Sequence, residues 1–224
     1  MKNMLIKVFT VMCVTLSIFS LTSCGSNSDT NTQEENTNVK DESSRSSNNS
    51  ESNIILLENE KIASVLSENE KNPELEKVLK EKYDLDESDA KKTRYYYNYV
   101  DLNGDGKNEI FAEVVGPFTS GSGGDSAIIY TENNGILEEI DDFSLITNPV
   151  IISDEKTNGW NNIIVESSDD TAEKKYVVLK YDGDDYSDSK ESEIIDSIDN
   201  ISGIAIISND IIKDLEVGKG LYLG

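Results

Sequence analysis

The stretch RYYYNYVDLNGDGKNEIFAEVV, Arg94 to Val115, decides how the rest of the chain is read. Its two ends are rich in Tyr, Val, Ile and Phe, residues that suit a pleated, half-buried surface, and its middle is Asp, Asn and Gly. The composition predicts strands over 94–100 and 109–115 joined by a tight polar loop. Within that loop Asp101, Asn103, Asp105 and Glu109 stand at positions 1, 3, 5 and 9, with Gly106 at position 6, where a sharp turn favours a residue without Cβ. Alternate residues of a curled loop point their oxygens inward, and calcium takes about six to eight oxygens at roughly 2.3–2.6 Å. Position 7 would contribute the backbone carbonyl of Lys107. The expectation is a structural Ca²⁺ held by Asp101, Asn103, Asp105, Lys107 and Glu109; the competing reading is a plain polar hairpin turn.

The run resembles the calcium loops of integrin α-chain FG-GAP and VCBS-type repeats, which join two β-strands, more than it resembles an EF-hand. Position 12 is Ala112, so the bidentate Glu that finishes an EF-hand is missing, and Glu109 is left to close the shell with Glu113 as a weaker helper. A wider likeness runs through GSGGDSAIIYTENNG, TNGWNNIIV and YVVLKYDGDDY to a group of exported bacterial proteins whose strands follow such a loop with a GSGG turn and an NGW element. In that group a cysteine pair brackets the GSGG turn; here Thr119 and Asp125 occupy that neighbourhood. The likeness implies no reaction.

At the other end, Met1, Lys2 and Lys7 precede an apolar run from Val8 to Leu21, too short to span a bilayer comfortably, and Leu21-Thr22-Ser23-Cys24 follows. This resembles the lipobox of bacterial lipoproteins. The resemblance implies cleavage between Ser23 and Cys24, a diacylglyceryl lipid on Cys24 and a second acyl group on the new amine. At about 0.8 kcal/mol per buried CH₂, such chains hold a protein durably at a membrane surface. The expected location is the extracytoplasmic face of the cell membrane, with the membrane itself as one partner. Residues 24–53 are Ser-, Asn- and Glu-rich, cannot bury a core, and read as a disordered tether behind the lipidated cysteine. Residues 54–224 then suit a single domain.

The formal charge is −24, from 44 acidic and 20 basic residues. Such a chain repels phosphate backbones, so no nucleic-acid partner is expected; a cation, a basic protein patch or a polycationic polymer of the envelope fits better. The chain has no histidine, and its only cysteines are Cys13, in the signal, and Cys24. Ser-His-Asp and Cys-His catalysis, Cys/His zinc sites and CxxC redox chemistry are thereby excluded.

Elsewhere, Asn72 and Pro73 open a helix over 73–83 whose Leu75, Val78, Leu79 and Tyr83 share one face, with Glu76 paired to Lys80 on the other. Residues 54–66 read as a helix, or as a short strand followed by one. Strands are expected over 126–131, 137–140, 150–152, 160–166, 175–181 and 203–208, with turns at Asn133-Asn134-Gly135 and Asp182-Gly183-Asp184 and a short helix from Asn209 through Asp214. The fold class is therefore α+β: one mainly antiparallel β domain with one or two N-terminal helices. Trp160 reads as a packing residue before a sugar-stacking one, and the tyrosine run as ordinary sheet packing.

The function these features imply is a non-enzymatic, membrane-tethered binding module for an envelope protein or polymer. The alternatives are a carboxylate-dependent cell-wall glycoside hydrolase, which needs two acids about 5–9.5 Å apart, and an inhibitor that inserts its GSGG loop into an envelope hydrolase.

Overall fold

A computed structural model describes residues 54–121, 124–167, 174–186 and 192–224. The lipobox, Cys24 and the tether lie outside the described residues, as do Ser122 and Gly123 of the GSGG turn.

The fold is α+β, and its strands divide between two sheets. The first sheet runs in the order β11 (Leu221–Tyr222), β2 (Arg94–Val100), β3 (Glu109–Val115), β4 (Asp125–Asn133), β5 (Ile136–Ile146). The second runs β1 (Ile62–Ser64), β10 (Gly203–Ile206), β6 (Val150–Thr157), β7 (Trp160–Glu166), β8 (Tyr176–Leu179), β9 (Glu193–Ile195). Every pairing is antiparallel except β1 with β10. Among the described residues three helices accompany them: α1 (Pro73–Lys82), α2 (Glu87–Ala90) and α3 (Ile211–Glu216).

Period-2 alternation explains the layering. Tyr96, Phe111, Val115, Ala127 and Ile129 point from the first sheet into a shared core with Val150, Ile152, Ile163, Val165, Leu179 and Ile206 of the second. The other face of the first sheet, with Tyr95, Tyr97, Ile110, Ala112 and Ile128, is covered by Leu75 and Leu79 of α1. Asn72 caps that helix by accepting from Leu75 N at 3.0 Å. Glu76 pairs with Lys71 at 3.5 Å and accepts from the Tyr95 hydroxyl at 2.8 Å, in place of the expected i,i+4 partner. The strand β3 is thus buried on both faces along its whole length, which makes Glu109 and Glu113 exceptional within it.

The 54–66 segment holds the strand β1 and no helix. Asp210, not Asn209, caps the late helix by accepting from Lys213 N; Asn209 instead accepts from Ser67 N at 2.8 Å. Elements the sequence did not announce are β9, β11 and α2, each four residues or fewer. The Asn134-Gly135 turn has φ of +54° and +79°, the left-handed pair that a tight hairpin requires.

Polar groups also stitch the layers. Asn98 on β2 donates to Leu66 O at 3.0 Å and accepts from Ile207 N at 2.9 Å, tying the first sheet to the end of β10. Asp141 on β5 accepts from Tyr186 N at 3.0 Å. Desolvation pushes the Asp141 carboxyl up to about 6, against the N–H groups of Tyr186 and Asp142 that pull it down, with the charges of Asp185 and Asp142 adding to the rise. A carboxyl raised above its usual 3.8 binds its proton more tightly in the fold than in the unfolded chain. Its contribution to stability is complete below about pH 4 and is lost as pH rises through about 6. Asp141→Asn should therefore match the parent protein near pH 4 and exceed it near pH 7 in urea denaturation.

Candidate functional site: the 101–109 loop

The loop between β2 and β3 closes on itself through its own acids. Asp101 accepts from Gly104 N at 2.7 Å with one carboxylate oxygen and from Gly106 N at 3.0 Å with the other. Asn103 Oδ1 accepts from Asp105 N, and Asp105 Oδ1 from Lys107 N, both at 2.8 Å. Gly104 and Gly106 adopt φ of +81° and +84°, a conformation that side chains other than glycine's rarely tolerate. These successive Asx turns curl the side-chain oxygens of positions 1, 3 and 5 along one short arc.

Two further residues fasten the arc to the body. Leu102 is fully buried in the core between the sheets, and its carbonyl accepts from Asn161 N of β7 at 2.8 Å. Glu109, the first residue of β3 and 2 % exposed, accepts from Leu102 N at 2.8 Å and from Asn103 Nδ2 at 3.4 Å. The five residues expected from the sequence therefore do lie in one loop, with Asp105 and Lys107 exposed and Glu109 inside. Glu113, the weaker helper, lies elsewhere: it faces the core between the sheets, beside Asp125.

The charges in the loop press on one another. Desolvation raises Glu109, the Leu102 N–H opposes that, and the negative Asp105 and Asp101 raise it further. At Asp101 desolvation also pushes upward, but the N–H groups of Gly106, Gly104 and Asp105, with the Lys156 ammonium, outweigh it and hold the carboxyl below its usual range. Lys156 comes from β6 and sits so near the loop that a Cβ on Gly104 would lie 2.8 Å from its Nζ. No sequence signal linked Lys156 to the loop, because 52 residues and a change of sheet separate it from Gly104.

The donor set, all carboxylate, amide and carbonyl oxygen, fits a hard divalent cation such as calcium. Among the described residues, no three acidic side chains converge on one point as a ready-made metal cluster. Trp160, beside Asn161, stacks on Tyr181 with ring centroids 4.6 Å apart and meets Tyr186 edge-on. Among the described residues no helix is long and apolar enough to cross a membrane. No family model, curated protein or solved structure matches this chain.

Glu109→Ala should strand the buried Leu102 N–H and cost about 2 kcal/mol, read by chemical denaturation, in chelator as well as in calcium.

Proposed function

We propose that this protein is a lipid-anchored, extracytoplasmic binding module whose 101–109 loop is clasped by a structural calcium ion. The single observation that carries the reading is the succession of Asx turns that gathers the Asp101, Asn103 and Asp105 oxygens in one short loop, with the buried Glu109 at its base. Three acids held in one loop repel each other, and a divalent cation reverses that cost where the single Lys156 charge only reduces it. Lys156 would swing away as the ion enters. Extracellular calcium modules bind with dissociation constants on the order of 10⁻⁴ to 10⁻³ M, and a loop lacking the position-12 Glu belongs in that range.

The location rests on the sequence Leu21-Thr22-Ser23-Cys24, which supports lipidation of Cys24. The net charge of −24 favours a cationic envelope component as the partner. The non-enzymatic reading draws support from the lack of histidine and of any cysteine beyond Cys13 and Cys24, which leaves no imidazole or thiol for nucleophilic catalysis in the domain. The stacking of Trp160 on Tyr181 likewise supports a packing role for that ring over a sugar platform.

Asp101→Ala should lower the melting temperature in chelator, through loss of the Gly104 and Gly106 hydrogen bonds, and lower it further in millimolar calcium; equal losses in both would remove the ion from the loop. Cys24→Ala should move the protein from the membrane pellet to the soluble fraction, and unchanged sedimentation would remove the lipid anchor.

A further inference from the structure

Arg94 belongs to a chain that carries 44 acids, yet among the described residues it makes no ion pair. Its Nε is buried without a hydrogen-bond partner, and its guanidinium stacks over the Tyr222 ring at 4.6 Å. A buried donor left unmet is costly, whereas a guanidinium stacked on a ring keeps its edge N–H groups available to a planar anion.

Arg94 lines a cavity of about 500 Å³ between the first sheet and α3, together with Lys92. Lys92 has only a long, exposed contact of 3.4 Å with Asp89. Most of the remaining wall is apolar, from Val115, Ile146, Ile211, Ile212 and Leu215. Ile212 is 73 % exposed, so the apolar wall continues out to the surface. The other polar groups of the wall are committed to the fold. Asn148 donates to Ile207 O and Asn209 O, Thr147 donates to Glu166 O, and the Ser120 hydroxyl accepts from Gly116 N. The acid of the wall, Asp125, is raised by desolvation, and its carboxyl is hydrogen-bonded to Ser120 and Glu113.

Two cations and a hydrocarbon wall are what the cavity leaves to a guest. A cation would be repelled, a small anion would leave the wall wet, and a neutral hydrocarbon would leave Arg94 unmet. A peptide would bring further amide groups, for which the wall has no free polar partner. An anionic head on an aliphatic chain meets every group. The net charge of −24 opposes an anion at a distance, but at 0.1 M salt charges more than about 10 Å away are largely screened, and at contact Arg94 and Lys92 decide.

We propose that this cavity binds a single-chain fatty carboxylate, its head received by Arg94 and Lys92 and its chain laid along Ile146, Ile211, Ile212 and Leu215. The site shares no residue with the 101–109 loop, so its occupancy does not depend on calcium.

The test is photolabelling of the full chain, held in a neutral detergent, by a dodecanoate with a diazirine at its chain end, the labelled residues being mapped by mass spectrometry. Saturable labelling centred on 211–215 is expected. Unlabelled dodecanoate should compete; dodecanol, which keeps the chain and loses the charge, should compete about tenfold less well or worse, the loss of one charge-assisted hydrogen bond. Arg94→Gln should weaken labelling by about tenfold. Ile212→Glu alters an exposed side chain, so it serves even if Arg94→Gln unfolds, and by setting an acid in the wall it should weaken labelling by about tenfold as well. Labelling scattered over the surface, dodecanol competing as well as dodecanoate, or Ile212→Glu labelled like the parent would overturn the proposal. Displacement of the label by acetyl-leucyl-leucine more readily than by dodecanoate would overturn it too, by making the occupant a peptide C-terminus.

Discussion

The hydrogen bond from Leu102 N–H to the Glu109 carboxylate is the contact on which the rest of this architecture leans. It closes the loop across its own base and drives the Leu102 side chain into the core between the sheets. It also leaves the Leu102 carbonyl directed at Asn161 N on β7, so a turn of the first sheet becomes part of the second. A polar loop of this kind ordinarily lies on the surface. Here one apolar residue anchors it, and a buried carboxylate makes the burial of its backbone tolerable.

That arrangement places charge where the fold can least accommodate it. The strand β3 is covered by α1 on one side and by the second sheet on the other, yet it carries Glu109 and Glu113 on its core-facing side. The two acids meet opposite circumstances. Glu109 has a backbone donor and an amide donor within reach, and it organises the loop. Glu113 has only a second carboxyl, that of Asp125, beside it, and neither of its oxygens has a hydrogen-bond donor. A buried carboxyl with donors builds structure; one without them takes up a proton.

Much of the fold was legible because its strands alternate cleanly and its turns carry Asn, Asp and Gly. The 94–100, 109–115 and 160–166 strands and the start of α1 at Pro73 fall where residue type placed them. The partition into two sheets was not legible, since alternation shows that a strand has two faces but not which partner covers each. Short elements such as β9, β11 and α2 are held by pairing and caps and carry too few residues for a period to register. In the site, loop spacing assembled Asp101, Asn103, Asp105, Lys107 and Glu109. It did not reveal that Leu102 is the anchor or that Lys156 stands over Gly104, because both facts arise from packing across sheets. Glu113 was weighed as a ligand of the loop because it lies close in sequence; in space it serves the other end of the strand.

Amide hydrogen exchange at Leu102 and Asn161, followed with and without calcium, bears most directly on the claim that a loop of oxygens latches the two sheets together. Both amides should be protected in chelator, because Glu109 and the Leu102 carbonyl hold them, and protection should rise further once calcium is added. Exchange of both amides at the rate of an open surface loop, unaltered by calcium, would contradict the account.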